Sequence, residues 1–243
     1  MKTFKKITLF VLVAISGFAI SCSEDDDAPV SSYVCETCVD TPDALAVNDN
    51  SVKGVYKGIV VGSSGTISIN IQNGSSTITA TMVLDGETAV LTSEVEVIDG
   101  QSYIAPFTGT FNGGDVSITF SVGLGGTTPT IVTSSIPGHP NAVFQIFKET
   151  STALIEAFEG TYSKPGETGV FNIVLSSALG GFSGIAKSDQ TNEINDVEGD
   201  YNANGELIDE DGEVVANITG DVLYGTFVDG NNDQVTVNGN RTL

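Results

Sequence analysis

From Lys53 onward, apolar and polar residues alternate along the chain with a period of two. Ile67, Ile69 and Ile71 are separated by Ser68 and Asn70, and Val116, Ile118, Phe120 and Val122 by Ser and Thr. Successive side chains of a strand point to opposite faces, so the pattern predicts strands with one buried and one wetted face. The alternation is broken by turn formers: Gly62 to Gly65, Asn73-Gly74, Asp85-Gly86, Asp99-Gly100 and Asn112-Gly113-Gly114. Their spacing of roughly ten residues predicts antiparallel hairpins joined as a meander. Pro137-Gly138-His139-Pro140 reads as a loop and Ala142 to Lys148 as a last strand, while Thr152 to Phe158 carries the signal of a single helical turn.

The pattern then restarts. Gly54-Val55-Tyr56 returns as Gly160-Thr161-Tyr162, and Thr110-Phe111-Asn112-Gly113-Gly114-Asp115-Val116 is echoed by Asn217-Ile218-Thr219-Gly220-Asp221-Val222. The interval from Tyr56 to Tyr162 and from Asp115 to Asp221 is the same 106 residues. Two separated anchors with one offset predict an internal duplication, with copies over 52–148 and 158–243 and a linker over 149–157. The fold class expected is all-β: two tandem antiparallel meander domains, each a small barrel or sandwich, after a short linker. One fused larger barrel or sandwich is the alternative.

Residues 22–51 read as that leading linker. Thr41-Pro42-Asp43 supplies an N-cap, a first-turn proline and an acid ahead of Ala44-Leu45-Ala46-Val47, which predicts a helix of one or two turns. The same linker holds Cys35-Glu36-Thr37-Cys38. A C-x-x-C pair serves as a redox dithiol, as half of a metal site or as a local disulfide. A redox dithiol wants a βαβ context and an electropositive surround, whereas Glu36 and Asp40 are acidic neighbours. A zinc site needs two further ligands, and the chain's one histidine, His139, is far off in sequence. A disulfide between Cys35 and Cys38 in an oxidising compartment is expected.

The N-terminus has a different texture. Lys2, Lys5 and Lys6 precede an apolar run from Ile7 to Ile20, 14 residues long. That run is short of the roughly 20 residues a membrane-spanning helix needs, so 1–21 reads as a signal peptide. The tetrad Ala19-Ile20-Ser21-Cys22 resembles the lipobox of bacterial lipoproteins, with Ala19 where leucine is usual. The resemblance implies that Cys22 is acylated and becomes the mature N-terminus, held in the outer membrane by its lipid. Ser23-Glu24-Asp25-Asp26-Asp27 follows directly, and it resembles the acidic run that sends some Gram-negative lipoproteins to the cell surface. The alternative is a solvated tether facing the periplasm.

Removing the signal peptide leaves six of the nine basic residues against 31 acidic ones and moves the net charge from −22 to −25. Such a surface repels nucleic acid and suits an exported protein, or one that collects divalent cations. Gly is abundant and Trp absent. The first copy (51–150) carries seven acids and the second (158–243) fifteen, so the second holds most of the potential cation-binding surface.

Within it, Asp200, Asn202, Asn204, Gly205, Glu206, Leu207 and Asp211 fall at positions 1, 3, 5, 6, 7, 8 and 12 of a stretch that resembles an EF-hand calcium loop. Position 12 is Asp211 rather than the bidentate Glu, and no helix is expected on either side. A plain acidic hairpin turn at Asn204-Gly205 explains the same residues. Asp229-Gly230-Asn231-Asn232-Asp233 is a weaker version. Asp196, Glu198 and Asp200 alternate and are expected to share one strand face, as solvated carboxylates rather than a glycosidase pair. No G-x-S-x-G motif accompanies His139, so nucleophilic hydrolysis has no candidate.

The sequence is therefore expected to encode a non-enzymatic, lipid-anchored β-protein that binds or adheres to an unknown ligand, a glycan or a protein, with Tyr56, Tyr162 and Tyr224 as candidate sugar platforms. The alternative is a structural accessory of an outer-membrane assembly. No cofactor is expected beyond possible Ca²⁺ at the loop above.

Overall fold

In the computed structural model, residues 33–61, 65–176 and 180–243 are described. The stretch read as a signal peptide, Cys22 and the acidic run lie outside the described residues, as does most of the turn expected at Gly62–Gly65. The described residues, from Tyr33 to Leu243, belong to one compact unit.

It is all-β, and it holds two tandem eight-stranded sheets rather than one fused barrel. The first comprises β1 (Gly54–Val61), β2 (Gly65–Ile71), β3 (Ile78–Leu84), β4 (Glu87–Thr92), β5 (Tyr103–Phe111), β6 (Gly114–Val122), β7 (Thr130–Ser135) and β8 (Val143–Glu149). Its order is β7-β6-β5-β4-β3-β2-β1-β8, a nearly closed barrel whose two edges are β7 and β8. The second comprises β9 (Ile155–Lys164), β10 (Glu167–Ser176), β11 (Gly181–Ser188), β12 (Ile194–Tyr201), β13 (Glu206–Ile208), β14 (Val214–Thr219), β15 (Val222–Val228) and β16 (Gln234–Arg241). Here β16 returns to pair with β9, and the barrel closes.

Shifted by 106 residues, β1 to β7 overlap β9, β10, β11, β12, β14, β15 and β16 in order. Strand β8 and the three-residue β13 have no counterpart, and each brings its sheet to eight strands. In the first sheet β8 occupies the place beside β1 that β16 occupies beside β9.

The expected alternation is realised in the first core. Ile67, Ile69 and Ile71 point inward with Ile118 and Phe120, all fully buried, and Tyr56 packs on Phe120 with ring centroids 5.1 Å apart. Asp85-Gly86 and Asn112-Gly113 form the tight turns after β3 and β5, each pair in the left-handed region that such turns require. Strand β7 escaped the pattern because it lies at a sheet edge with nearly every side chain exposed. The His139 loop packs on Phe111, and its Nε2 lies 3.7 Å from Asp85 Oδ2.

Strand β1 is buried on both faces. Tyr56 and Val60 enter the first core, while Ile59 and Val61 join Ile155, Ala157, Val174 and Ile185 in an apolar cluster between the two sheets. Burial on both faces explains why β1 reads as a near-continuous apolar run. The same cluster overturns the helical turn expected at Thr152–Phe158. Ile155 and Ala157 are drawn into it on alternate positions, so β9 begins at Ile155, inside the stretch expected as linker.

The linker helix is also smaller than expected. A single 3₁₀ turn spans Ala46–Asn48, with Leu45 rather than Thr41 at its cap and no side-chain capping bond. Asp43 and Ala44 are engaged elsewhere: their N–H groups donate to Glu149 Oε1 at 2.7 and 3.3 Å, and the Asp43 carboxylate pairs with Lys57 at 2.9 Å. Those partners hold the backbone extended where the helix would have begun.

Candidate functional site: a polar groove on the second barrel

Two sets of contacts fix the linker, one on each barrel. On the second, Arg241 sits opposite Phe158 and so faces the barrel interior at its end. Its guanidinium is almost wholly buried and reaches Glu156 at 3.2 Å, Asp40 at 3.1 Å and Asp221 at 3.4 Å, and it also donates to the Val39 carbonyl. The fork geometry and permanent charge of arginine suit it to hold several oxygens at once. Asp221 in turn accepts the Cys35 N–H at 2.9 Å, and the Tyr33 hydroxyl donates to the Arg241 carbonyl at 2.8 Å. Cys35 and Cys38 are joined in a disulfide with Cα atoms 5.4 Å apart, as expected. It closes a knuckle seated on the second barrel, so the pair is not an isolated feature of a free tether.

On the first barrel the anchor is the trio Asp43, Lys57 and Glu149, of which Lys57 and Glu149 are buried. Lys57 Nζ lies 2.9 Å from each carboxylate, and Glu149 Oε2 also accepts the Ile155 N–H at 3.2 Å. Lys148 lies close by with its ammonium on the Ser51 and Lys53 carbonyls and 4.9 Å above the Tyr56 ring. Burial pushes its pKa down to about 8, against a smaller opposing pull from Asp49.

Beside Tyr33, the outer face of the second barrel carries a groove of about 320 Å³. Its polar floor follows from strand register. Glu159 on β9 stands directly between Asn172 on β10 and Asn240 on β16, and all three point outward because their neighbours Phe158 and Phe171 face the core. Thr161, Thr242 and Tyr33 complete the polar wall. Asn172 is only 8 % exposed. Among the described residues, no hydrogen bond or ion pair engages the side chains of Glu159, Asn172 or Asn240. Burial and the nearby Asp85 carboxylate both push the Glu159 pKa upward. The Tyr33 hydroxyl is raised too, chiefly by burial, then by Asp221 and Glu159. An acceptor-only carboxylate between two carboxamides, each both donor and acceptor, is equipped to bind a polar ligand that brings its own donors.

The residues singled out for calcium are distributed otherwise. Asp200 is on the exposed outer face of β12 with Asp196 and Glu198, as the alternation predicted. Asn202 to Glu206 and Asp209 to Glu213 form two successive turns, so Asp211 lies in a different turn from Asn204. Asn202 Oδ1 accepts the N–H groups of Asn204 and Glu206 at 2.9 and 3.2 Å. Asp209 Oδ1 does the same for Asp211 and Glu213, and Asp229 Oδ1 for Asn231 and Asp233. One device thus recurs three times: an Asx side chain capping its own hairpin turn. Gly205, Gly212 and Asn232 supply the left-handed residue in each, while Asn204 is outside that region, so the turn is not the type I′ expected of Asn-Gly. Among the described residues no group of three or more His, Cys, Asp or Glu is placed to hold a metal ion. Added Ca²⁺ is expected to raise the melting temperature no more than NaCl of matched ionic strength, because both then act by screening. An excess shift with Ca²⁺ that Asp200→Ala removes would establish a cation site there.

Of the tyrosines proposed as platforms, Tyr56 is fully buried and Tyr162 faces into the second barrel, where its hydroxyl donates to Glu167 at 2.7 Å. Tyr224 is on the opposite face of β15 from the core residue Leu223. Tyr33, which the sequence did not single out, is the tyrosine at the groove. No family model matches this chain, and no match is found among curated proteins or solved structures.

Proposed function

We propose that this chain is a lipid-anchored outer-membrane lipoprotein, displayed at the cell surface, that acts as a non-enzymatic binding or adhesion module. Binding is carried by one observation above the others: the unpaired row Asn172–Glu159–Asn240 along the groove floor. Their donors and acceptors are occupied by no protein partner, so a ligand that enters the groove bonds them in place of water. The anchoring part rests on the Ala19-Ile20-Ser21-Cys22 tetrad and the acidic run behind it. A lipoprotein anchor buries several acyl chains at roughly 0.8 kcal/mol per CH₂, ample for stable attachment. The strongly negative surface also leaves nucleic acid out of consideration as a partner.

Replacing Cys22 by Ala is expected to move the protein from the detergent phase to the aqueous phase. Changing Glu24 to Asp27 into alanine is expected to keep the lipid but shield the protein from external protease on intact cells. A Cys22→Ala protein that stays with membrane would sink the anchoring proposal, and unchanged protease access would reduce the acidic run to a spacer.

A further inference from the structure

We infer that the groove on the second barrel binds a primary ammonium group carried on a hydroxylated body, of which an unacetylated amino sugar is the simplest case. This rests on the proposal that the groove is a ligand site. The centre of the floor is a half-buried carboxylate, and no basic side chain lies on it among the described residues. The surround makes a cation the fitting occupant: fifteen acids on this copy, Asp85 pressing on Glu159 from the first barrel, and Arg241 committed to Glu156, Asp40 and Asp221. An ammonium donates three hydrogens and accepts none, which matches a carboxylate flanked by carboxamide oxygens.

A lone carboxylate with neutral amide and hydroxyl neighbours is too weak a set for a hard divalent ion, which wants six to eight oxygens and usually several charges. The organic ammonium therefore has the better claim. The rest of the lining selects the body that bears it. Asn172 and Asn240 each pair a donor with an acceptor, and Thr161 and Thr242 add hydroxyls, so the walls match vicinal hydroxyl groups. The volume is at the small end of ligand sites, near 300 Å³, and fits a sugar ring better than a folded peptide. The groove is also on the paired interior of the sheet, where β9 has a neighbour on each side, so no peptide backbone can add as a strand.

The test is calorimetric titration of the detergent-solubilised full-length protein with glucosamine, glucose, N-acetylglucosamine and the tripeptide Gly-Lys-Gly. Glucosamine is expected to bind saturably, with glucose and N-acetylglucosamine about tenfold weaker or worse, since each lacks the charged donor. Glu159→Gln, on an outward-facing position, is expected to lower glucosamine affinity to that of glucose while leaving the melting temperature in place. Asn172→Ala is expected to weaken glucosamine and glucose alike. Glucose binding equal to glucosamine, or a Glu159→Gln protein of unchanged affinity, would overturn ammonium recognition and leave the groove as a binding site. Tighter binding of Gly-Lys-Gly than of glucosamine would assign the groove to a peptide side chain and overturn the sugar. Failure of all four probes, with no effect of either substitution, would overturn this inference and the groove as the binding site together.

Discussion

Replacing Glu149 by Leu is expected to destabilise the protein by about 3–5 kcal/mol, the range for removing one partner of a buried ion pair. Glu149 is fully buried, and its two oxygens serve the Lys57 ammonium and the N–H groups of Asp43, Ala44 and Ile155. Without it, Lys57, itself nearly inaccessible, keeps only the half-exposed Asp43 as counter-charge. The loss is large because a charge stays behind, not because the pair is strongly favourable in itself. Lys57→Met with Glu149→Leu should therefore be more stable than Glu149→Leu alone. It should still fall short of the parent, since three backbone donors have lost their acceptor. Urea denaturation of the three proteins decides it. A loss below about 1 kcal/mol for the single change would mean that solvent reaches the trio.

Gly160→Val is expected to be still more damaging, about 4 kcal/mol or more, and to prevent closure of the second barrel. Gly160 faces inward on β9 across from Gly239 on β16. A Cβ there would strike the Asn238 carbonyl and sit 2.5 Å from the Gly239 Cα. Closing eight strands into a narrow barrel requires tilt and strong bending, and glycine marks where one backbone must approach another. Gly86, in the β3–β4 turn, has open space around its missing Cβ, and only its positive φ opposes substitution. Gly86→Ala should therefore cost about 1 kcal/mol. Thermal melts and near-ultraviolet circular dichroism of both variants measure the difference. A Gly160→Val protein that melts with the parent would show that the strands can part there without cost.

Much of this architecture was legible because period-two burial and turn chemistry are local. Ile67, Ile69 and Ile71 announce an inner face, and Asp85-Gly86 announces a turn, whatever surrounds them. What was missed depends on contacts between residues far apart in the chain. Thr41-Pro42-Asp43 carries a good helix start, but Glu149, 106 residues beyond Asp43, takes the backbone N–H groups instead. Thr152 to Phe158 reads as a turn of helix until Ile155 and Ala157 find Ile59 and Val61. The calcium-like stretch resembles its counterpart because side-chain oxygens at alternate positions also suit an Asx-capped hairpin turn. The groove left a faint trace: Asn172 interrupts the outward pair Val170 and Val174, and Lys57 interrupts Val55, Ile59 and Val61. Each is a polar residue set between apolar ones on the same strand face. That Glu159 lies between two asparagines is set by the register of three strands, which sequence alone does not give.

The seating of the linker has a mechanical consequence. Tyr33 and Cys35, the first described residues to touch the body, are bound to Arg241 and Asp221, near the other end of the chain. Tension arriving along the N-terminal segment is therefore delivered to the last strand of the second barrel before it reaches β1. Asp40 on Arg241 and Asp43 on Lys57 then bear the load in turn. The strand that receives the pull is bonded on both sides within a closed ring, with no free edge from which to unzip. The first sheet, which does have free edges at β7 and β8, takes the load through Asp43 on Lys57 only after the contacts to Arg241 and Asp221 have parted.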